Sequence, residues 1–187
     1  MNLLYPDFDL RLLPRMLKMA GLGGVIAGSY GVIHDQITYS ISPEYFTHMK
    51  FEQFAWADCG FPPRVFASVI GWLASWWVGV FSAWFLARLT VPAWPATDAW
   101  RITLWGFAIT FAGSALAAIA GAALGSRPAA RNADWDSYAD LLGIRDVPAF
   151  VQTGYIHNGS YLGGAIGLIV ACVTIIRLKK AVPAVKS

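Results

Sequence analysis

The sequence predicts an all-α fold, namely an integral membrane bundle of four transmembrane helices with a short interfacial helix after the first. The first observation is composition: 57% of the 187 residues are hydrophobic and only 13% are charged, whereas soluble domains carry about 25% charged residues. The second is four separate apolar stretches, each approaching the roughly 20 residues needed to cross a hydrocarbon core. Helices satisfy their own backbone groups in lipid. We therefore expect a single membrane domain.

The four predicted spans cover residues 16–33, 65–86, 102–124 and 153–176, and the first could continue as a helix to residue 41. The first span resembles a signal peptide, because basic residues precede it and the run Ala27-Gly28-Ser29 imitates a cleavage site. However, the polar pair His34-Asp35 continues directly from the span. We therefore interpret the first span as a retained helix.

Small residues recur at helical spacing within the spans. Rows of this kind let the backbones of two membrane helices approach closely. The third and fourth spans carry the clearest rows, which are Gly113, Ala117 and Gly121, and Gly159, Gly163 and Gly167. The pattern predicts closely packed helices within the bundle.

The basic residues predict the orientation of the bundle. Nine of the fourteen lysines and arginines fall in the N-terminal arm, the second connection and the C-terminal tail. Because basic residues accumulate on the cytoplasmic side, both termini are expected in the cytoplasm. The expected partner is the lipid bilayer. The net charge of +3 is modest, and without a basic run interleaved with aromatics nucleic acid is excluded as a partner.

Two histidines mark the candidate site. His34 and Asp35 close the first span, and His157 opens the last one. The predicted topology brings all three to the same side of the membrane. Ionisable groups at this depth are costly unless they are paired, hydrated or bound to something. These residues are therefore the best candidates for a shared site at the outer ends of helices one and four, which are the periplasmic ends if the membrane is a bacterial inner membrane.

The segment after the first span adds a carboxylate to this candidate site. Ser42 followed by Pro43 is a favourable helix start, with serine as the N-cap and proline at the first helical position. Glu44 then falls in the first turn, and His48 lies four residues later on the same face. We expect Glu44 and His48 to reach the level of the two other histidines.

Three interpretations of this cluster remain open. Imidazoles with the carboxylates of Asp35 and Glu44 would suit a transition metal such as zinc, iron, copper or manganese, and either carboxylate could instead orient an imidazole. The same groups could carry protons. They could also be hydrogen-bonded pairs that only join helix ends. No HExxH, paired CxxC or glycine-rich phosphate loop indicates a reaction, so enzymatic activity stays undecided.

The segments around these residues resemble the motifs of a known group of proteins. The strings Tyr30-Gly31-Val32-Ile33-His34-Asp35-Gln36-Ile37-Thr38, Pro43-Glu44-Tyr45-Phe46-Thr47 and His157-Asn158-Gly159-Ser160-Tyr161 resemble motifs of an uncharacterised group of small bacterial polytopic inner-membrane proteins. The resemblance implies a bacterial inner-membrane setting and no particular reaction. Its matching residues beyond the candidate ligands are Gln36, Thr38, Tyr45, Asn158, Ser160 and Tyr161. His48 belongs to no such motif.

An alternative function needs no bound ligand. The small size, the small-residue helix faces and the lack of a catalytic motif also fit a non-catalytic accessory or assembly subunit of a larger membrane complex, or a self-associating protein. Recovery of stoichiometric partner chains in mild detergent would favour this alternative. The separation of the His34 and His157 side chains tests whether the two histidines form one site. Imidazole nitrogens about 3 to 4 Å apart around a common point favour a metal, whereas a separation of more than about 10 Å leaves two independent helix ends.

The third connection is predicted to carry one more short helix. Residues 131–140 are followed by Gly143, which suits a helix end, and Pro148 stands just before the last span. Trp135 and Tyr138 would dock this helix over the mouth of the bundle.

Overall fold

The computed structural model describes residues 9–181, which form helices joined by short connections. In chain order the helices are α1 (Leu13–Ile41), α2 (Pro43–Tyr45), α3 (Phe51–Gln53), α4 (Pro63–Thr90), α5 (Ala96–Gly125), α6 (Ala133–Leu142) and α7 (Val147–Ala181). Four of them, α1, α4, α5 and α7, are long and apolar enough to cross a membrane. Within residues 9–181 there is no strand. The predicted all-α fold is confirmed.

The membrane helices extend beyond the predicted apolar spans at both ends. Helix α4 has a proline in its first turn, α5 starts directly after Pro95, and α7 starts one residue before Pro148. Proline suits a first helical turn because the amide hydrogen it lacks would have no partner there. The predicted spans are shorter than the helices, because an apolar stretch ends at its first polar residues although the helix continues.

The bundle consists of two antiparallel pairs, α1 with α4 and α5 with α7, and the two pairs touch each other less extensively. Glycines allow the close approach within each pair. A Cβ on Gly71 would overlap the carbonyl oxygen of Gly31, and one on Gly163 would overlap that of Gly113. These contacts confirm the predicted packing through small residues. Such packing matters in a membrane because lipid provides no hydrophobic driving force between helices.

Residues 43–53 form a short helical connection between the first pair of membrane helices. The Ser42 hydroxyl accepts a hydrogen bond from the Tyr45 amide at 3.3 Å, and Pro43 follows it, so the predicted helix start is confirmed. Helix α2 passes into a π-helical turn, Phe46–Lys50, before α3. A π turn has one residue more than an α turn and frequently occurs at functional sites. The turn carries Lys50 at its end.

Helix α6 packs against α7 in the way that the aromatic residues predict. Asn132 caps its first turn by accepting a hydrogen bond from the Trp135 amide at 3.0 Å, and Gly143 ends it in the left-handed conformation, with φ of 67°. The Trp135 ring lies 6.0 Å from the ring of Phe150 near the start of α7. The Trp135 indole also packs against Gly154, where a Cβ would overlap the ring. This covers the bundle end at which α7 begins.

Candidate metal centre

His34, Asp35 and His157 form one compact group at the end of the bundle where α1 ends and α7 begins. One ligand-type atom from each residue lies within 4.8 Å of the other two. The two imidazole rings meet edge to face with centroids 4.7 Å apart. This separation is well under the limit of about 10 Å that would have left two unrelated helix ends. Because α1 and α7 belong to different pairs, the group bridges the two halves of the bundle.

Burial gives this group its chemical character. His157 is 2% exposed and Asp35 is 5% exposed, while His34 is partly exposed. The Nε2 atoms of both histidines are buried and have no hydrogen-bond partner. A buried polar atom without a partner costs about 1–3 kcal/mol. Two such atoms in neighbouring rings therefore need a physical explanation.

Aromatic rings fix the orientation of His157. The Tyr45 ring is stacked on the imidazole with centroids 5.0 Å apart and an interplanar angle of 10°. Phe46 lies on another side at 6.1 Å, and Tyr161, which is exposed on the outer face of α7, lies at 6.1 Å. Burial, followed by the nearby Tyr161, Asp35 and Tyr138, raises the pKa of the Tyr45 phenol. The phenol consequently stays neutral and packs as an aromatic wall.

Lys50 is a cation whose charge reaches this group. Its Nζ lies 6.0 Å from the centre of the Tyr45 ring, and its charge interacts with Asp35 and with both histidines. Burial lowers the pKa of the Lys50 ammonium, and the neighbouring Asp35 opposes this by favouring the charged form. The π-helical turn thus presents a positive charge to the buried carboxylate.

A hydroxyl network lies below the histidines. The Tyr30 hydroxyl is 3.0 Å from the Ser114 hydroxyl and 3.1 Å from the Ser160 hydroxyl, and the two serine hydroxyls are 2.8 Å apart. The three side chains come from α1, α5 and α7. The Tyr30 ring lies 5.7 Å from the His34 ring. The network therefore joins both halves of the bundle directly beneath the group of ligand-type residues.

Glu44 and His48 lie outside this group, contrary to the expectation from the sequence. The Glu44 carboxylate accepts hydrogen bonds from the backbone amides of Arg145 and Asp146 at 3.1 and 2.9 Å. These amides lie just before α7, so Glu44 joins α2 to the start of α7. His48 is exposed, and its Nδ1 lies 2.9 Å from the carbonyl oxygen of Leu142. Helical spacing relates neighbours along the chain and does not reveal such distant partners.

The supporting polar residues have separate roles. The Gln36 amide donates hydrogen bonds to the Arg64 carbonyl at 2.8 Å and the Ser68 hydroxyl at 3.0 Å, which ties α1 to α4. The Thr38 hydroxyl donates to the carbonyl of His34 at 3.0 Å within α1. Asn158 is exposed on α7. Of the motif residues, Tyr45 stacks on the His157 ring at 5.0 Å, and the Tyr161 ring lies 6.1 Å from it.

Two residues near the histidines were not candidates from the sequence. Lys50 has no sequence signal for this place, because nothing local relates it to α1 or α7. Thr153 is fully buried, and its hydroxyl has no hydrogen-bond partner. It stands four residues before His157, so helical spacing alone places both on one face of α7. This spacing is the sequence signal that relates Thr153 to His157.

The donor set determines what this arrangement can do. Two imidazole nitrogens and one carboxylate match the ligands of zinc and of non-haem iron sites, which leave further positions open. Two ligand atoms each about 2.1 Å from an ion are at most about 4.2 Å apart. The three atoms lie within 4.8 Å of one another, so a pair at that limit would have to approach by about 0.6 Å to share an ion.

Comparisons with known proteins give no independent assignment: no protein-family model, curated protein or solved structure matches the chain. The kinship suggested by the motifs stays a prediction. The case for a function rests on the geometry around the two histidines.

Proposed function

We propose that this chain is a multi-pass protein of a bacterial inner membrane that binds a transition metal through His34, Asp35 and His157. One observation carries the proposal. Three ligand-type atoms from two different helices lie within 4.8 Å of one another, and two of these residues bury an Nε2 atom that has no hydrogen-bond partner. A metal ion would use those lone pairs.

A purely structural polar cluster explains these atoms less well. Residues that only join helix ends do so by satisfying each other's hydrogen bonds, as Tyr30, Ser114 and Ser160 do one turn below. The two Nε2 atoms lack such bonds, and leaving them unpaired would cost stability. The mixed nitrogen and oxygen donors favour zinc or ferrous iron over a hard cation such as magnesium or calcium.

The proposed orientation places this site on the periplasmic side. The single connection predicted at the opposite end and the two terminal segments hold nine of the fourteen basic residues, and such residues favour the cytoplasm. The fourth coordination position would then be open to water or to a ligand from the periplasm. Four helices that could span a membrane support the multi-pass arrangement.

Metal analysis of the purified protein tests the proposal. We expect a near-stoichiometric transition metal in the wild-type chain and its loss in both His34→Ala and His157→Ala. His48→Ala is the matched control, because His48 lies at the same end of the bundle but outside the group, and it should retain the metal. A metal-free wild-type protein that cannot be loaded with zinc or ferrous iron would contradict the proposal. Stoichiometric partner chains in that preparation would instead support an accessory subunit.

A further inference from the structure

Lys50 introduces a charge that the proposed metal site must accommodate. Its ammonium lies over the Tyr45 ring at 6.0 Å from the ring centre, and that ring is stacked on the imidazole of His157. The Lys50 charge also interacts with Asp35. The Lys50 charge is therefore part of the electrostatic surroundings of any ion that these ligands bind.

The charges balance only while no divalent metal is present. The ionised carboxylate of Asp35 and the ammonium of Lys50 cancel each other. A divalent ion held by two neutral imidazoles and Asp35 leaves an excess of about two positive charges at a largely buried site. Uncompensated charge in such surroundings is strongly unfavourable.

The protein itself offers no second buried carboxylate to compensate. Within residues 9–181, Asp35 is the only acidic side chain that is buried. Glu44 is the nearest alternative by sequence, but its oxygens accept backbone hydrogen bonds at the start of α7. Glu52 and Asp146 are exposed. The compensating charge must therefore come from outside the chain.

We propose that the site binds its metal together with a small anion, whose carboxylate or phosphate oxygen occupies an open coordination position and pairs with Lys50. This inference rests on the proposed metal site. His34 and Lys50 are both partly exposed, so a ligand can approach from their side. Charge-assisted hydrogen bonds from lysine to such oxygens are about twice as strong as neutral ones. Lys50 is then a binding residue for an anionic ligand.

Cobalt(II) titrations of the full chain in non-ionic detergent micelles test this inference. The soluble arm compares sodium acetate with sodium perchlorate at equal ionic strength. The lipid arm replaces acetate with micelles doped with phosphatidylglycerol, because a lipid headgroup supplies the same oxygen chemistry. We expect acetate or the lipid to strengthen cobalt binding about tenfold, within the usual range for two coupled ligands, and to change the cobalt visible spectrum.

Variants of Lys50 decide whether this coupling passes through its charge. Lys50→Met should abolish the anion effect and bind cobalt in perchlorate at least as tightly as the wild type, because one opposing charge is gone. Lys50→Arg should keep most of the effect. Arg64→Met is the matched control, since Arg64 is a cation at the same end that bonds Gln36 and Ser40 instead, and it should behave as the wild type.

Three outcomes would overturn the inference. The first is a wild-type cobalt affinity that neither acetate nor phosphatidylglycerol changes. The second is an anion effect of equal size in Lys50→Met. The third is a wild-type chain that binds no cobalt under any condition, which would remove the proposed function as well. The first two leave metal binding itself intact, so the two failures are distinguishable.

Discussion

Two carboxylates at the same end of the bundle have different roles because their surroundings differ. Asp35 is buried on α1 beside His157 and Lys50. Glu44 lies on α2, where the backbone amides of residues 145 and 146 point at its oxygens. A carboxylate that accepts amide hydrogens near a helix start satisfies groups that the helix itself leaves unpaired. Burial among ligand-type residues and capping of a helix start are thus separate functions of the same chemical group.

Glu44→Gln should separate these two roles. We expect the free energy of unfolding to fall by about 1 kcal/mol, because the neutral side chain loses charge-assisted hydrogen bonds at the start of α7. Metal content should not change. Denaturant titration and metal analysis of the same sample measure both quantities. Glu52→Gln, which alters an exposed acid in the same connection, should change neither. Loss of metal in Glu44→Gln would restore Glu44 as a candidate ligand.

The candidate site could be predicted from the sequence only in part. His34, Asp35 and His157 were grouped because the order of the spans brings the end of the first helix and the start of the last to one side. The place of Glu44 depends on the backbone amides of residues 145 and 146, about 100 positions away. Lys50 reaches the group through a π-helical turn, whose extra residue changes the face on which a side chain lies. Neither effect has a local sequence signal.

At the scale of helices, the glycine rows determine which helices pair. Within the pair α5 and α7, glycines at positions 113 and 163 face each other's carbonyl oxygens. This explains why the spacing of small residues predicted the close pairs. The spans were predictable because composition determines which segments cross a membrane. Their ends are not predictable in this way, because the prolines in the first turns of α4 and α7 suit a turn as well as a helix start.

Gly163→Ala should destabilise the α5–α7 pair. The added methyl group would overlap the Gly113 carbonyl oxygen, and overpacking of this kind typically costs about 1–3 kcal/mol. Gly164→Ala is the neighbouring control, because its Cβ would meet nothing closer than a Ser114 atom at 3.8 Å. Unfolding by titration with a denaturing detergent compares the two variants. Equal stability of both would show that the close backbone approach is not required.

At the scale of the whole molecule, the proposed metal would join the two helix pairs. Contacts between the pairs are less extensive than contacts within them. His34 and Asp35 belong to the first pair and His157 to the second. The hydroxyls of Tyr30, Ser114 and Ser160 join the same pairs one turn below. A metal bound at this level would therefore stabilise the association of the halves.

Loading with metal should raise the thermal stability of the wild-type chain. A ligand that binds only the folded state stabilises it by about 2.7 kcal/mol when its free concentration is about 100-fold above the dissociation constant. The melting temperature of purified protein, measured with zinc and with chelator, should differ for the wild type. It should not differ for His157→Ala, which lacks one ligand. An equal shift in both proteins would mean that zinc stabilises the fold at another place.

The proposed orientation predicts which cysteine can be reached from outside the cell. Cys59 is exposed in the connection between α3 and α4, at the same end of the bundle as His34, whereas Cys172 is partly buried within α7. A membrane-impermeant maleimide added to bacterial cells with a permeabilised outer membrane should label the wild-type chain and Cys172→Ser, but not Cys59→Ser. Labelling of Cys59 only in inverted membrane vesicles would place the metal centre on the cytoplasmic side. In that case the basic residues would lie mostly outside, contrary to the positive-inside rule.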